Sequence, residues 1–283
     1  MAAYQFETWD VFTPTRFQGN PLAVVFDCDP LSTDEMAMIA REFNLSETVF
    51  IRSAQDGAHR AALRIFTPSG ELAFAGHPTI GAAHAIARRA GERSPFQLEL
   101  QAGVFGIDFT NKGARFINPN PPITSPTDLS CDDIAPILGL SPSDLLAPPL
   151  IAGAPTPFLT VELTTDSLSR IQADMSAIAR LCDEIYLVAR HPARATHFHT
   201  RMFAPGIGIP EDPATGSAAC ALPAYIKAST GIMDGSHNWT VEQGVEMGRA
   251  SLINVSFDVT DGVIGCVSVS GHATPVQSGE ILV

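Results

Sequence analysis

The residues best suited to chemistry lie at the starts of two similar segments. Residues 64–86 read RIFTPSGELAFAGHPTIGAAHAI, and residues 201–226 read RMFAPGIGIPEDPATGSAACALPAYI. Each segment passes from an alternating strand through glycine and proline into a helix of small residues. The start of a helix presents backbone N–H groups and a positive dipole end, which bind carboxylates and oxyanions. The two segments therefore predict two anion-binding helix starts, one beside His77 and one beside Asp212.

The same residues also allow plainer interpretations. Gly76 and Gly216 could serve only to turn the chain, and Asp212 could serve only as a helix N-cap. N-capping explains Asp212 well but His77 poorly, which favours different roles for the two side chains. A third candidate, the acidic residue Glu47, precedes an apolar strand, and a carboxylate in that place is most often simply solvated. The residue types alone leave the role of Glu47 open.

An internal duplication positions these residues. Arg64 and Arg201 open the two copies at an offset of 137 (201 − 64), and aligning His77 with Asp212 gives an offset of 135 (212 − 77). The match extends upstream, where residues 35–41 resemble residues 174–180. A period this long indicates two similar halves rather than a repeat array. We expect halves of residues 1–120 and 121–283, divided near the proline-rich stretch 118–122, with a cleft between them and a last strand that returns to the first half.

Hydrophobic periodicity and turn residues predict the elements that carry the site. Each half is expected to be mostly β with one enclosed helix, because both helical segments are small or apolar on nearly every face. A capping box, Ser32–Glu35, is expected to start another helix. The expected strands are 4–11, 21–26, 48–52, 239–244, 250–259 and 263–270, and the expected enclosed helices are 78–89 and 213–227.

Composition narrows the classes of function. The chain has 17 Lys and Arg against 30 Asp and Glu, a net charge of −13 that argues against nucleic acid as a partner. No apolar run approaches the length of a membrane-spanning helix. Five cysteines without paired spacing, and an N-terminal stretch without an apolar signal region, predict a cytoplasmic protein with free thiols. His197 and His199 lack a nearby third ligand, so no metal site is expected.

Four ordered motifs resemble the phenazine-biosynthesis PhzF-like isomerase family. The resemblance runs from about residue 5 to the C-terminus. The motifs are Asn44-Leu45-Ser46-Glu47-Thr48; Phe66-Thr67-Pro68 with Gly76-His77-Pro78-Thr79; Glu211-Asp212-Pro213-Ala214-Thr215-Gly216-Ser217; and Glu242-Gln243-Gly244 with Met247-Gly248-Arg249.

The resemblance implies an α+β, diaminopimelate epimerase-like fold. In that fold two pseudo-symmetric halves each wrap a mostly antiparallel curled sheet around a buried helix, usually as a homodimer. It also implies cofactor-independent proton transfer within a small carboxylic or amino acid, with Glu47 as general acid/base and His77 and Asp212 as catalytic partners. Substrate binding would fall to Ser46, Gly76, Thr215, Gly216 and Ser217.

Two alternatives remain open at this point. One is an epimerase or racemase with Glu47 and Asp212 as opposed bases. Cysteine-based racemisation is disfavoured, because no cysteine occupies these positions and Cys220 falls inside the second helix. The other alternative is a regulatory or ligand-binding protein without catalysis, since most proteins of this family have no assigned reaction. The identity of the substrate does not follow from the sequence.

Overall fold

The computed structural model of the chain describes residues 2–283, which form two compact units. The first unit contains residues 2–117 and 270–283, and the second contains residues 118–269. The division at 117/118 lies close to the expected 120/121. The C-terminal residues belong to the first unit because the last strand pairs with the first along its whole length.

The described residues form both helices and strands. The helices are α1 (Thr33–Phe43), α2 (Gly76–Ala90), α3 (Cys131–Ile137), α4 (Thr165–Ser169), α5 (Met175–Leu181) and α6 (Gly216–Thr230). The strands are β1 (Ala3–Val11), β2 (Asn20–Val25), β3 (Glu47–Arg52), β4 (Ala61–Thr67), β5 (Gly70–Leu72), β6 (Phe96–Leu100), β7 (Gly103–Thr110), β8 (Gly113–Ile117), β9 (Ile123–Pro126), β10 (Leu150–Gly153), β11 (Pro157–Leu163), β12 (Ile185–Arg190), β13 (His197–Ala204), β14 (Ile209–Asp212), β15 (Gly235–Gln243), β16 (Ser251–Thr260), β17 (Val263–Ile264), β18 (Ser268–Gly271) and β19 (Ala273–Leu282).

The first unit is a mostly antiparallel sheet curled around α2. β1 pairs antiparallel with both β2 and β19, β2 runs parallel to β3, and β3 pairs antiparallel with β4. β4 then pairs antiparallel with β5 and parallel with β6, which continues antiparallel into β7 and β8. α2 contacts β1, β2, β3, β8 and β19. The helix is therefore enclosed by its own unit, as the sequence predicts.

Small side chains allow this enclosure. Every residue of α2 from Gly76 to Ala87 is buried, and the helix becomes exposed only at its last turn, where Arg88 and Arg89 lie near the negative dipole end. Gly91 ends the helix with a φ of 72°, a left-handed conformation that favours glycine. At Gly81 an added Cβ would lie 2.3 Å from Leu22 Cδ2 and 2.9 Å from Val11 Cγ2. Helix and strands approach so closely that this position has no room for a methyl group.

The second unit repeats the same strand pairings around α6. β10 pairs antiparallel with β9 and β11, β11 runs parallel to β12, and β12 pairs antiparallel with β13. β13 pairs antiparallel with β14 and parallel with β15, which pairs antiparallel with β16. The sequence of orientations from β10 to β16 equals that from β1 to β7. Together with the buried helices, this confirms the α+β, epimerase-like fold class.

Two predicted elements differ from the structure. The strand expected over 263–270 is split into β17 and β18, since the backbone N–H of Gly265 turns back to the carbonyl oxygen of Asp258 at 2.9 Å. The second enclosed helix begins at Gly216 instead of Pro213, and its N-cap is Thr215. The capping box at Ser32 and Glu35 is confirmed, because the Ser32 hydroxyl accepts from the backbone N–H of Glu35 and the Glu35 carboxylate accepts from the backbone N–H of Ser32. Within residues 2–283, no helix is long and apolar enough to cross a membrane.

The tight packing at Gly81 makes a stability prediction. Gly81→Ala should lower the free energy of unfolding by about 1–2 kcal/mol, although alanine is the better helix former by about 1 kcal/mol. Leu22 and Val11 are both fully buried, so neither can move aside cheaply. Urea denaturation measures the change. Gly106→Ala in β7, where an added Cβ meets nothing within 4 Å, is the matched control. A Gly81→Ala protein as stable as wild type would contradict the packing argument.

Candidate functional site

Four polar residues of the first unit converge at the start of α2. Asn20 begins β2, Ser46 immediately precedes β3, Glu47 begins β3, and His77 is the second residue of α2. Asn20, Glu47 and His77 are 0%, 8% and 3% exposed, and Ser46 is half-buried. β2 and β3 lie side by side with Leu22 opposite Glu47, so the sheet brings distant parts of the chain to one place.

Short contacts connect these side chains in a row. The Ser46 hydroxyl donates to Asn20 Oδ1 at 3.2 Å, and Asn20 Nδ2 lies 3.1 Å from His77 Nδ1. On the other side of the imidazole ring, His77 Nε2 lies 3.4 Å from Glu47 Oε2. A buried carboxylate requires polar partners, and the helix start places the His77 ring beside Glu47, although the 3.4 Å contact does not meet hydrogen-bond geometry.

His77 is electrically neutral in this environment. Burial lowers the pKa of His77 to about 3, because the imidazolium ion would lose its hydration without full compensation. At neutral pH the ring therefore carries one N–H and one lone pair. The side chain beside Glu47 is a hydrogen-bonding group and not a cation.

A second polar cluster lies at the start of α6. Asp212 ends β14, and the hydroxyl of the N-cap residue Thr215 donates to Asp212 Oδ2 at 2.5 Å. Gln243, at the end of β15 and fully buried, donates from Nε2 to the Asp212 carbonyl oxygen at 2.7 Å and to Thr215 Oγ1 at 3.0 Å. Its Oε1 accepts from the backbone N–H of Thr215 at 3.3 Å. Gln243 thus fixes the turn that leads into α6.

The strand register confirms the offset of 137 between the strands of the two copies. Phe50 pairs with Arg64 in the first unit, and Leu187 pairs with Arg201 in the second, so the strands match at the offset of 137. Both arginines form two hydrogen bonds to a glutamate of the next strand, Glu71 and Glu211 respectively. The second hairpin is longer by a short 3₁₀ turn, Pro205–Ile207.

The longer hairpin changes which residues are equivalent at the helix starts. α2 begins at Gly76 and α6 at Gly216, an offset of 140 (216 − 76). His77 therefore corresponds to Ser217, and Asp212 corresponds to Leu72. The predicted equivalence of His77 and Asp212 was wrong, because it placed the length difference in the wrong segment. Asp212 also does not cap α6, since Thr215 occupies that position.

The corrected register gives Glu47 a counterpart in the second unit. At the offset of 137, Glu47 corresponds to Glu184, the residue before β12. Burial, together with the negative charges of Asp212 and Asp183, raises the pKa of Glu184 to about 7. The same position in the fold thus holds a glutamate beside a neutral imidazole in one unit and a glutamate near carboxylates in the other.

The structure places all eight predicted site residues in two groups, one within each unit. Ser46, Glu47, Gly76 and His77 lie around the start of α2. Asp212, Thr215, Gly216 and Ser217 form the last residue of β14 and the start of α6. The half-buried Ser217 is adjacent to Gly216 in the first turn of that helix.

Three polar residues were not assigned from sequence: Asn20, Glu184 and Gln243. Asn20 resembled an ordinary turn residue after Gly19, and Gln243 stood in a motif without a role. Glu184 had a usable signal, because the duplication already aligned it with Glu47.

Cys220 is fully buried in α6, and burial raises the pKa of its thiol to about 12, which leaves it uncharged at neutral pH. Among residues 2–283, no three His, Cys, Asp or Glu side chains cluster as metal ligands.

Solved structures of other proteins share this architecture. A hydroxyproline epimerase of Agrobacterium vitis has a TM-score of 0.64 at 11% identity, covering 99% of this chain and 92% of that chain. This similarity defines the class of fold as epimerase-like. A Bacillus anthracis phenazine biosynthesis protein of the PhzF family has a TM-score of 0.88 at 25% identity and covers 100% of both chains.

Sequence comparisons agree with the structural ones. The family model described as phenazine biosynthesis-like protein matches residues 9–279. A Mesorhizobium japonicum protein named an uncharacterized isomerase is 37% identical over 294 residues, 97% of each chain. A trans-2,3-dihydro-3-hydroxyanthranilate isomerase of Pseudomonas aeruginosa is 35% identical over 276 residues, 96% of each chain. The chain belongs to the phenazine biosynthesis-like protein family.

The raised pKa of Glu184 predicts a pH-dependent stability. A carboxyl whose folded-state pKa lies above its ordinary 4.5 favours folding when protonated, and this contribution is lost as pH rises toward and through about 7. Glu184→Gln should therefore be more stable than wild type by on the order of 2–3 kcal/mol at pH 8, with little difference at pH 4.5.

Urea denaturation of both proteins across pH 4.5–8 measures this difference. The exposed Glu42→Gln, which removes the same formal charge from the surface of α1, is the control and should show no comparable pH trend. A flat difference between wild type and Glu184→Gln would contradict the electrostatic assignment.

Proposed function

We propose that this protein is a cofactor-independent isomerase that moves a proton between carbons of a small carboxylic or amino acid, with Glu47 as general acid and base. The observation that carries the proposal is the buried Glu47 carboxylate held 3.4 Å from a neutral His77. A general base must be able both to accept a proton and to return it. A cationic partner would hold the carboxylate ionised and oppose the first of these steps, whereas a neutral N–H allows both.

The proposed reaction requires only proton movement. Glu47 takes a proton from a saturated carbon beside an unsaturated system, and the bonding electrons of that C–H bond enter the conjugated system. Glu47 then returns the proton to another carbon, so the enzyme regains its starting state. Since no electrons enter or leave the substrate, no redox cofactor is needed.

Substrate binding is proposed to use the helix starts. The N-cap of α2 is Ala75, whose methyl side chain cannot accept a hydrogen bond from the first-turn N–H groups at Gly76. A substrate carboxylate bound there would gain hydrogen bonds and the dipole of α2, which strengthen as charge develops in a site with little water. For the second unit we propose that Gly216, Thr215 and Ser217 bind substrate and that Asp212 orients it.

The family relationship supports the reaction class. The relatives named above are called isomerases, and one of them is named for trans-2,3-dihydro-3-hydroxyanthranilate, an unsaturated cyclic acid. That compound is the first to test, followed by other small unsaturated carboxylic and amino acids. The cytoplasmic location and the homodimer implied by the family resemblance stay predictions.

Replacing Glu47 tests the proposed mechanism. Wild-type protein in deuterated water should exchange hydrogen for deuterium at one substrate carbon, observed by proton NMR. Glu47→Gln should reduce this exchange by roughly 10²–10⁴-fold, the usual contribution of a general acid/base. Folding, checked by circular dichroism, and binding, checked by ligand shifts, should persist because glutamine preserves the shape.

Controls and product stereochemistry separate the alternatives. Glu42→Gln on the exposed face of α1 should exchange at the wild-type rate. Unchanged exchange in Glu47→Gln would remove Glu47 from the mechanism. A product inverted at the exchanging carbon would replace the positional isomerase with an epimerase, and binding across the whole panel without exchange would favour a non-catalytic binder.

A further inference from the structure

Asn20 occupies a buried position on the side of His77 that faces away from Glu47. Its amide is fully buried, with Nδ2 at 3.1 Å from His77 Nδ1 and Oδ1 at 3.2 Å from the Ser46 hydroxyl. Nothing in the family comparison or the sequence motifs assigns a role to this residue. Its location beside the imidazole ring indicates that it acts on His77.

The amide decides which ring nitrogen of His77 carries the proton. A neutral imidazole has one N–H donor and one lone-pair acceptor. Because Asn20 Nδ2 can only donate, the nitrogen that it faces, Nδ1, must accept. The proton of the ring is then on Nε2, which is the nitrogen 3.4 Å from Glu47.

Ser46 forms a hydrogen bond with the oxygen end of the Asn20 amide. An Asn side chain offers a carbonyl oxygen and an NH₂ group of nearly equal shape, so its hydrogen-bond partners must fix the orientation. In the structure Oδ1 accepts from the Ser46 hydroxyl, and Nδ2 lies 3.1 Å from His77 Nδ1. Because a hydroxyl can also accept, this amide orientation is a premise of the proposal, and the tautomer measurement below tests it. In this orientation, the predicted substrate-binding residue Ser46 has a second role that acts through Asn20.

The backbone holds Asn20 firmly in place. Asn20 pairs with Val11 across β1 and β2, and the preceding Gly19 has a φ of 70°. An added Cβ at Gly19 would lie 2.3 Å from the Val11 carbonyl oxygen. The loop therefore packs too closely against β1 to accommodate a side chain at this position. The amide thus reaches His77 from a fixed strand position.

We propose that Asn20 is a positioning residue that selects the Nε2–H tautomer of His77 and so places an N–H on the side of the ring that lies 3.4 Å from Glu47. The proposal rests on the proposed function of Glu47. With Nε2 protonated, His77 supports an ionised Glu47 that is ready to accept a proton. With Nδ1 protonated instead, a lone pair would face the carboxylate, and Glu47 would have to hold a proton of its own and could not act as the base.

The test reads the tautomer directly, without substrate. In protein labelled with ¹⁵N-histidine, long-range proton–nitrogen NMR distinguishes the two neutral tautomers and the imidazolium ion, and the His77 signals are assigned by their absence in His77→Gln. Wild type should show a neutral ring protonated on Nε2. A wild-type ring protonated on Nδ1 would overturn the proposal.

Asn20→Asp replaces the donor that faces His77 Nδ1 with an acceptor, because an ionised carboxylate only accepts hydrogen bonds. His77 should then carry a proton on Nδ1, and deuterium exchange should fall at least about tenfold, because a wrong histidine tautomer costs up to ~10⁴-fold in serine hydrolase triads. The KM should change less than kcat. An unchanged tautomer in Asn20→Asp would overturn the proposal.

Two further variants keep the test decisive. Ser46→Ala removes the hydrogen bond that Oδ1 accepts and frees the amide to turn, so it should populate the Nδ1–H form even if Asn20→Asp does not fold. Asn118→Asp changes another fully buried asparagine, which donates to the Ala154 carbonyl oxygen at 2.5 Å in the second unit, and it should leave the His77 spectrum unchanged. A Ser46→Ala protein with only the Nε2–H form would count against the proposal.

The two proposals fail in different ways. If Glu47→Gln retains full exchange while the His77 tautomer responds to Asn20→Asp as expected, the proposed function is wrong and the role of Asn20 stands. If Glu47 is required but the tautomer ignores both Asn20 and Ser46, only the role of Asn20 is wrong.

Discussion

A carboxylate removed from water must be met by hydrogen-bond donors, and this requirement at Glu47 organises the first unit. His77 can reach Glu47 only because α2 begins within the curled sheet. α2 can lie there only because its buried residues are small and because the strands approach to within contact distance at Gly81. The burial of the Glu47 carboxylate therefore depends on the residue composition of the whole helix α2.

The duplication shows which features of the fold are fixed and which can vary. Both units keep the same order of strand orientations and the same arginine–glutamate pair across the hairpin. In both, the arginine also lies over a phenylalanine ring, Phe66 or Phe203. The second residue of the enclosed helix differs, with His77 in one unit and Ser217 in the other. The scaffold is preserved by packing and strand register, while the chemistry depends on a few positions at its rim.

Sequence reasoning recovered the parts of the structure that rest on local pattern. The enclosed helices follow from runs of small residues, and the start of α1 follows from the capping box at Ser32. The equivalence of His77 and Asp212 failed, because a change in hairpin length leaves no local mark and only strand pairing locates it. Asn20 and Gln243 were missed for a related reason: their importance comes from residues distant in sequence, His77 for the one and Thr215 for the other.

The pairing of β19 with β1 has a consequence for how the chain folds during synthesis. The second unit is continuous, so all of its strands are available once residue 269 has left the ribosome. The first unit, although translated first, lacks the neighbour of β1 until the final residues emerge. Its N-terminal strand must wait with one edge unpaired, which is a state prone to wrong association. The sheet of the first unit therefore gains its last strand only after all of the second unit has been translated.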